Sequence, residues 1–229
     1  MKSFFCAALA FAAWAAPLRD AELEKARDAQ DRAALQKSVT QLEAAVAKKV
    51  TDRAAQYRLA LAQSYLSEVA LEQKDKNLAR AAAESGIKAA EKAVELDPKA
   101  AGGHTLLGTL CAQVIPANVL AGLKYGRCAM DEINKAIDMD PKSSDAWLRH
   151  GVGNYYLPAS FGGGIDKALS DFAKAIQLDA KSAEAHMWRG IALRKANRNA
   201  DARKALEQAV KLNPNRLWAK EQLEKTPAQ

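Results

Sequence analysis

Residues 183–214 read AEAHMWRGIALRKANRNADARKALEQAVKLNP, and this stretch decides the fold. Small residues fall at Gly190, Ala202 and Ala209, and larger apolar ones at Trp188, Leu193, Leu206 and Leu212. The spacing is helical in two blocks, broken by a polar turn near Asn197–Asn199. Small residues at fixed offsets let two antiparallel helices approach closely, and Pro214 stops the second. The ending recurs upstream as EKAVELDPKA (91–100), NKAIDMDPKS (134–143) and AKAIQLDAKS (173–182), beside EQAVKLNPNR (207–216). The central alanines Ala93, Ala136, Ala175 and Ala209 are 43, 39 and 34 residues apart. Self-similarity at such a period marks a helical solenoid.

The units resemble tetratricopeptide repeats, whose pattern runs roughly W-x2-L-G-x2-Y, then A-x3-F-x2-A, then P. In the last unit His186, Gly190, Leu193, Ala202, Leu206, Ala209 and Pro214 follow that order. The third has Trp147, Gly151, Asn154, Ala168, Phe172, Ala175 and Leu178, with Ala180 in place of the proline. The second has His104, Leu107, Gly108, Cys111, Ala129, Ile133, Ala136 and Pro141. The first keeps Tyr57, Leu61, Ser64, Gly86, Ala90, Ala93 and Pro98. The resemblance implies an all-α, right-handed alpha-solenoid of helical hairpins. Four repeats are expected at 54–99, 101–142, 144–182 and 183–215. They are flanked by an N-terminal helical cap at 17–53 and a C-terminal capping helix and tail at 216–229.

The units lengthen toward the N-terminus. Counted to the closing position they exceed the last one by 13, 9 and 5 residues, and all the excess lies between the two helix signatures. Steps of about one helical turn predict longer hairpins. Part of the excess is open to a loop reading at 114–126 and in LPASFGGG (157–164). The triple glycine there is not a phosphate loop. That loop needs G-x-x-x-x-G-K-[ST] after a strand, whereas Lys167 stands three residues past Gly164 with no Ser or Thr after it. The segment reads as a bend after Pro158, with a place on the rim of a groove as the alternative.

At the N-terminus, Lys2 precedes an apolar run from Phe4 to Ala16 with small residues suited to cleavage. This pattern predicts a signal peptide at 1–16 and a periplasmic or secreted protein of a bacterium. The run is too short for an ordinary membrane span, and an uncleaved anchor is the alternative. Residues 18–50 carry one apolar face, with Leu23, Ala26, Leu35, Val39, Leu42 and Val46, on an alanine-rich charged background. They predict a helix covering the first repeat, or else a coiled coil. Trp218 and Leu223 are placed to pack back on the last unit.

Little points to chemistry. His104, His150 and His186 are at least 36 residues apart, so no short metal spacing exists, and they are read as packing residues. Asp97, Asp140 and Asp179 share one repeat position beside the inter-repeat turn and are read as turn formers. No catalytic, cofactor or metal residues are assigned. Cys111 and Cys128 are either bridged, which an oxidising compartment permits, or two buried thiols. The net charge of +7 is spread among acids, and no aromatic–basic platform for nucleic acid stands out.

The resemblance implies a non-enzymatic scaffold that binds a protein or peptide in its concave groove, here expected in the cell envelope. Arg58, Arg149, Asn154, Arg189 and Arg194 are its candidate groove residues. Small-molecule capture for a transport system is the alternative, and it needs an enclosed pocket.

Overall fold

A computed structural model describes residues 20–117 and 121–228. The expected signal peptide and the middle of the 114–126 segment fall outside them. The described residues form eleven α-helices and no strand. Four antiparallel hairpins make the body: α3 (Arg53–Glu72) with α4 (Lys76–Leu96), α5 (Ala101–Val114) with α6 (Ala121–Met139), α7 (Ser144–Tyr156) with α8 (Ile165–Leu178), and α9 (Ala183–Lys195) with α10 (Asn199–Leu212). Before them stand α1 (Ala21–Asp28) and α2 (Arg32–Lys48), and after them α11 (Leu217–Glu224). The fold is a right-handed α-solenoid of tetratricopeptide hairpins.

One periodic device ends each repeat. The side chains of Asp97, Asp140, Asp179 and Asn213 accept from the backbone N–H two residues on, at Lys99, Lys142, Lys181 and Asn215. This turn gives a partner to a backbone N–H just past the helix end. The next helices are capped in turn: Ser143 accepts from Ala146 N–H, and Ser182 from Ala185 N–H. Within the hairpins the small residues set the distance. A Cβ on Gly190 would lie 2.6 Å from Leu206 Cγ and 3.0 Å from the Ala202 carbonyl. Gly108 meets Ile133, and Gly151 meets Phe172, at similar range. Around these contacts Leu110, Ile133, Phe172 and Leu206 are completely or almost completely buried, and burial of such side chains drives the stacking.

The unequal repeat lengths resolve into two causes. The last hairpin has helices of 13 and 14 residues, and so does the third. All the excess of the third is therefore loop. In the first hairpin the helices themselves grow to 20 and 21 residues, about two extra turns each. The second mixes the two, with a 14-residue α5, a 3-10 turn at Ile115–Ala117 and a 19-residue α6.

The glycine segment is a bend. Gly162 and Gly164 take φ of 88° and 111°, conformations that favour glycine. Gly164 N–H closes on the Asn154 carbonyl over 2.9 Å, and Lys167 Nζ donates to the Gly162 carbonyl over 2.7 Å. The lysine thus ties its own loop.

The N-terminal region departs from the single helix expected over 18–50. It breaks at Ala29–Asp31, where Gln30 takes φ 52° and Asp31 caps α2 by accepting from Ala34 N–H. The break lets α1 leave the axis of α2 and lie on α3. One helix would carry both segments in a straight line.

Candidate functional site

In this solenoid the first helices α3, α5, α7 and α9 touch one another in succession, while α4, α6 and α8 each meet the first helix of the next hairpin. The closer spacing of the first helices puts them on the concave side. Tyr57, Asp145 and Arg149 lie near one another on that face. Burial first, then the Asp145 charge, pushes the Tyr57 hydroxyl up to about 12, against the opposing pull of Arg149. Arg149 Nε donates to Asp145 Oδ1 over 3.1 Å. Burial works against the Arg149 cation, but Asp145 first, then Glu68 and Glu184, more than offset it, so its pKa rises. Its side chain keeps 18% of its surface open to solvent.

Beside this open part lies a closed one. Arg216, at the start of α11, is 1% exposed. It reaches carboxylates on three different elements: Glu68 and Glu72 on α3, Glu184 on α9 and Asp28 on α1. Its guanidinium grips both oxygens of Glu72 in a fork, with one arm at 3.1 Å, and donates to Glu68 over 2.6 Å and Glu184 over 3.0 Å. Arg27 of α1 donates to Asp28 over 2.7 Å and stands 3.6 Å from Glu184. Its guanidinium carbon lies 4.9 Å from the centre of the Tyr65 ring. A planar fork with five donors suits such a buried junction better than a lysine would.

Two cations here face four carboxylates, and the imbalance acts on their acidities. Burial pushes Glu72 up to about 7, although Arg216 pulls it down. Burial would raise Glu184 as well, but Arg216, then Arg27 and Arg149, overcome it and hold it at about 2. Two carboxyl groups driven apart in this way suit acid–base chemistry in an open cleft. Here the Glu72 side chain is 3% exposed and its oxygens are taken by Arg216 and Gln30. The pair therefore locks elements together and offers no place for a substrate.

Of the residues expected in the groove, Arg149 reaches this centre. Arg58 is half exposed and pairs with Asp20, ahead of α1, over 2.6 Å. Asn154 is not a groove residue: it is 3% exposed and donates to Asp171 over 2.7 Å, because its helix turns that face toward α8. Arg194 is taken up by the C-terminal segment, donating to the Gln222 carbonyl and to Thr226 Oγ1. Arg189 lies partly buried on α9 within the field of Asp201 on α10, away from the cluster. Sequence reading missed Arg27, Asp28, Glu68, Glu72, Glu184 and Arg216. The one signal was Glu68 and Glu72, four apart in the otherwise uncharged LSEVALE (66–72).

Cys111 of α5 and Cys128 of α6 are joined as a disulfide. His104 is buried between Glu132 and the Pro98 carbonyl, and His150 lies against Asp171. Among the described residues no group of three or more His, Cys, Asp or Glu side chains is arranged to hold a metal. None of the described helices is long and apolar enough to cross a membrane.

Residues 21–158, from α1 to the end of the third repeat's first helix, match the family described as regulator of microtubule dynamics protein 1-3. The chain belongs to that family. Residues 161–216 of this family member match the tetratricopeptide repeat. No curated protein matches it. Among solved structures it is similar to TTC0263, a thermophilic tetratricopeptide protein of Thermus thermophilus, with TM-score 0.61 and 18% identity over 90% of this chain and 98% of that one. It is also similar to the HusA haemophore of Porphyromonas gingivalis, with TM-score 0.53 and 19% identity over 85% and 92%. At such identities the likeness is one of fold. Tetratricopeptide folds generally mediate protein–protein interaction, and no catalytic family matches this member.

Proposed function

We propose that the protein is a non-enzymatic scaffold of the bacterial cell envelope that holds a protein segment on its concave face. The observation that carries the reading is the part of that face where Tyr57, Asp145 and Arg149 from two hairpins converge, with the Asp145 carboxylate exposed and part of the Arg149 side chain open to solvent. Arg149 is held in place by Asp145 and by the field of Glu68 and Glu184, and so presents an ordered donor. Export is supported by the apolar run behind Lys2 and by the Cys111–Cys128 disulfide, a bond that persists in oxidising compartments.

The test is affinity capture with the full chain from an extract of its own host, with bound proteins and small molecules identified by mass spectrometry. Tubulin, which the family's description brings forward, is added as a separate bait. One stoichiometric protein partner, lost with Arg149→Glu, is the expected result. A small molecule bound without any protein would replace this reading with solute capture. The place to look would then be the open cleft of about 560 Å³ between α1 and α11, lined by Glu24, Lys25, Asp28, Asn215, Leu217 and Lys220 among others.

A further inference from the structure

The helix α1 lies across the first-helix side of the stack like a bound ligand. Leu23 is 2% exposed, in one apolar cluster with Leu59, Tyr65 and Leu66 of α3, and Ala26 sits behind it at 9%. Arg27 covers Tyr65 and reaches toward Glu184 at the other end of the stack. Asp28 accepts from Asn213 Nδ2 over 2.7 Å. Leu23, Ala26 and Arg27 stand at i, i+3 and i+4, the spacing by which a helix is read in a groove, and Asp28 reaches out beside them at the helix end. The rest of α1 is turned outward: Ala21, Glu22 and Lys25 are exposed or partly exposed, and the cleft beside α11 runs along it.

Three features set α1 apart from the hairpins. It is eight residues long, too short to persist as a helix without a surface to lie on. It is set off from α2 by the Ala29–Asp31 break with its positive φ at Gln30. Its apolar anchors are one leucine and one alanine, and beside them it is held by Arg27 toward Glu184 and by Asp28 to Arg216 and Asn213. The receiving surface is complete in other elements: Tyr65, Glu68 and Glu72 belong to α3, Glu184 to α9 and Arg216 to the α10–α11 turn.

We propose that the face under α1 is the partner site of the protein and that α1 is its built-in occupant. The partner is a helix carrying the same chemistry, an aliphatic residue followed at three and four residues by a small residue and an arginine, with an aspartate behind them. This rests on the reading of the concave face as a protein-binding surface and names the kind of segment bound there. A tethered occupant acts at an effective concentration on the order of millimolar. A free peptide of the same sequence therefore binds weakly to the intact protein, and a true partner displaces α1 through contacts beyond it, including the open Tyr57–Asp145–Arg149 region.

The test uses a fluorescent peptide of residues 20–31, DAELEKARDAQD, titrated against the full wild-type chain and a full chain with Leu23→Asp and Arg27→Glu. The doubly substituted chain releases its own α1 and is expected to bind the peptide at least tenfold more tightly than wild type. A peptide with the same two changes should bind neither chain. Circular dichroism establishes that the released variant keeps its helices. Equal binding to both folded chains would overturn the proposal. Amide hydrogen exchange on the wild type is independent of any variant: α1 should exchange faster than α3 and α9, and protection of α1 equal to theirs would overturn it as well. A wild-type dimer dissociated by the peptide would mean that a second copy fills the face, which also overturns it. If the peptide fails while a captured protein is still lost with Arg149→Glu, the scaffold reading stands and this one falls.

Discussion

Asn213 donates from Nδ2 to Oδ2 of Asp28 over 2.7 Å, joining two residues 185 positions apart. The contact brings the turn after the last repeat to the helix before the first. It becomes possible because α3 is about two turns longer than α9, and its last two turns carry Glu68 and Glu72 toward Arg216. The long first hairpin is thus the element that lets the two ends of the solenoid meet.

Arg216 is the centre of that meeting, so its loss should be felt globally. Arg216→Met leaves Glu68, Glu72, Glu184 and Asp28 buried without their common cation. Removing one partner of a buried ion cluster costs about 3–5 kcal/mol. Equilibrium urea unfolding should show a midpoint lowered accordingly, with Arg216→Lys only partly restoring it, since an ammonium cannot fork across Glu72. A midpoint within error of wild type would show that the cluster adds nothing to stability.

As far as this cluster is concerned, stability should peak near pH 4.5 and decline from there to about pH 7. Glu184 has its folded pKa lowered from 4.5 to about 2, so its contribution is complete above 4.5 and is lost as pH falls toward 2. Glu72 has its folded pKa raised from 4.5 to about 7. The folded state therefore binds its proton more tightly, so this contribution is complete below 4.5 and is lost as pH rises from there through about 7. Melting temperatures measured from pH 3 to 9 would trace both limbs. Glu72→Gln should flatten the alkaline limb and leave the acid one in place.

Close approach at the hairpin glycines predicts a contrast between two substitutions of the same kind. Gly151→Ala sets a methyl group 2.6 Å from the Phe172 ring, inside a filled core, and should destabilise by about 1–3 kcal/mol. Gly126→Ala, in α6 with nothing within 4 Å of the added atom, should instead stabilise by up to about 1 kcal/mol through helix propensity. Thermal melts of the two variants decide it, and a loss at both would refute the assignment of Gly151 to helix contact.

The Cys111–Cys128 bond closes a loop with a sequence separation of 17. On chain-entropy grounds a loop of that size contributes about 3 kcal/mol. Mass spectrometry of the alkylated, unreduced protein should find both thiols blocked by the bridge. Cys111→Ala with Cys128→Ala should melt lower, and a reducing agent should then have no further effect.

The repeat architecture was legible in the sequence because its determinants are local. The spacing of Gly190, Ala202, Leu206 and Ala209 specifies two helices and the distance between them, and the Asp97, Asp140 and Asp179 positions specify the turns through side-chain-to-backbone bonds only two residues long. Periodicity alone did not show the break at Ala29–Asp31, because the apolar positions on either side continue one pattern while the backbone changes direction at Gln30. Asn154 and Arg194 looked like groove residues because charge and polarity suggest exposure, whereas each is satisfied by a partner from another element.

The sequence by itself determined an all-helical stack of four hairpins, since helix period, small-residue contacts and capping turns act over a few residues. Only the tertiary structure decided that the stack curves far enough to set Arg216 among Glu68, Glu72, Glu184 and Asp28, and that α1 lies on the face shared by Glu68, Glu72, Glu184 and Arg216. The physical reason is one of range. A helix is specified by neighbours three and four residues away, but a buried charge finds its partner through the summed lengths and rotations of every repeat between them.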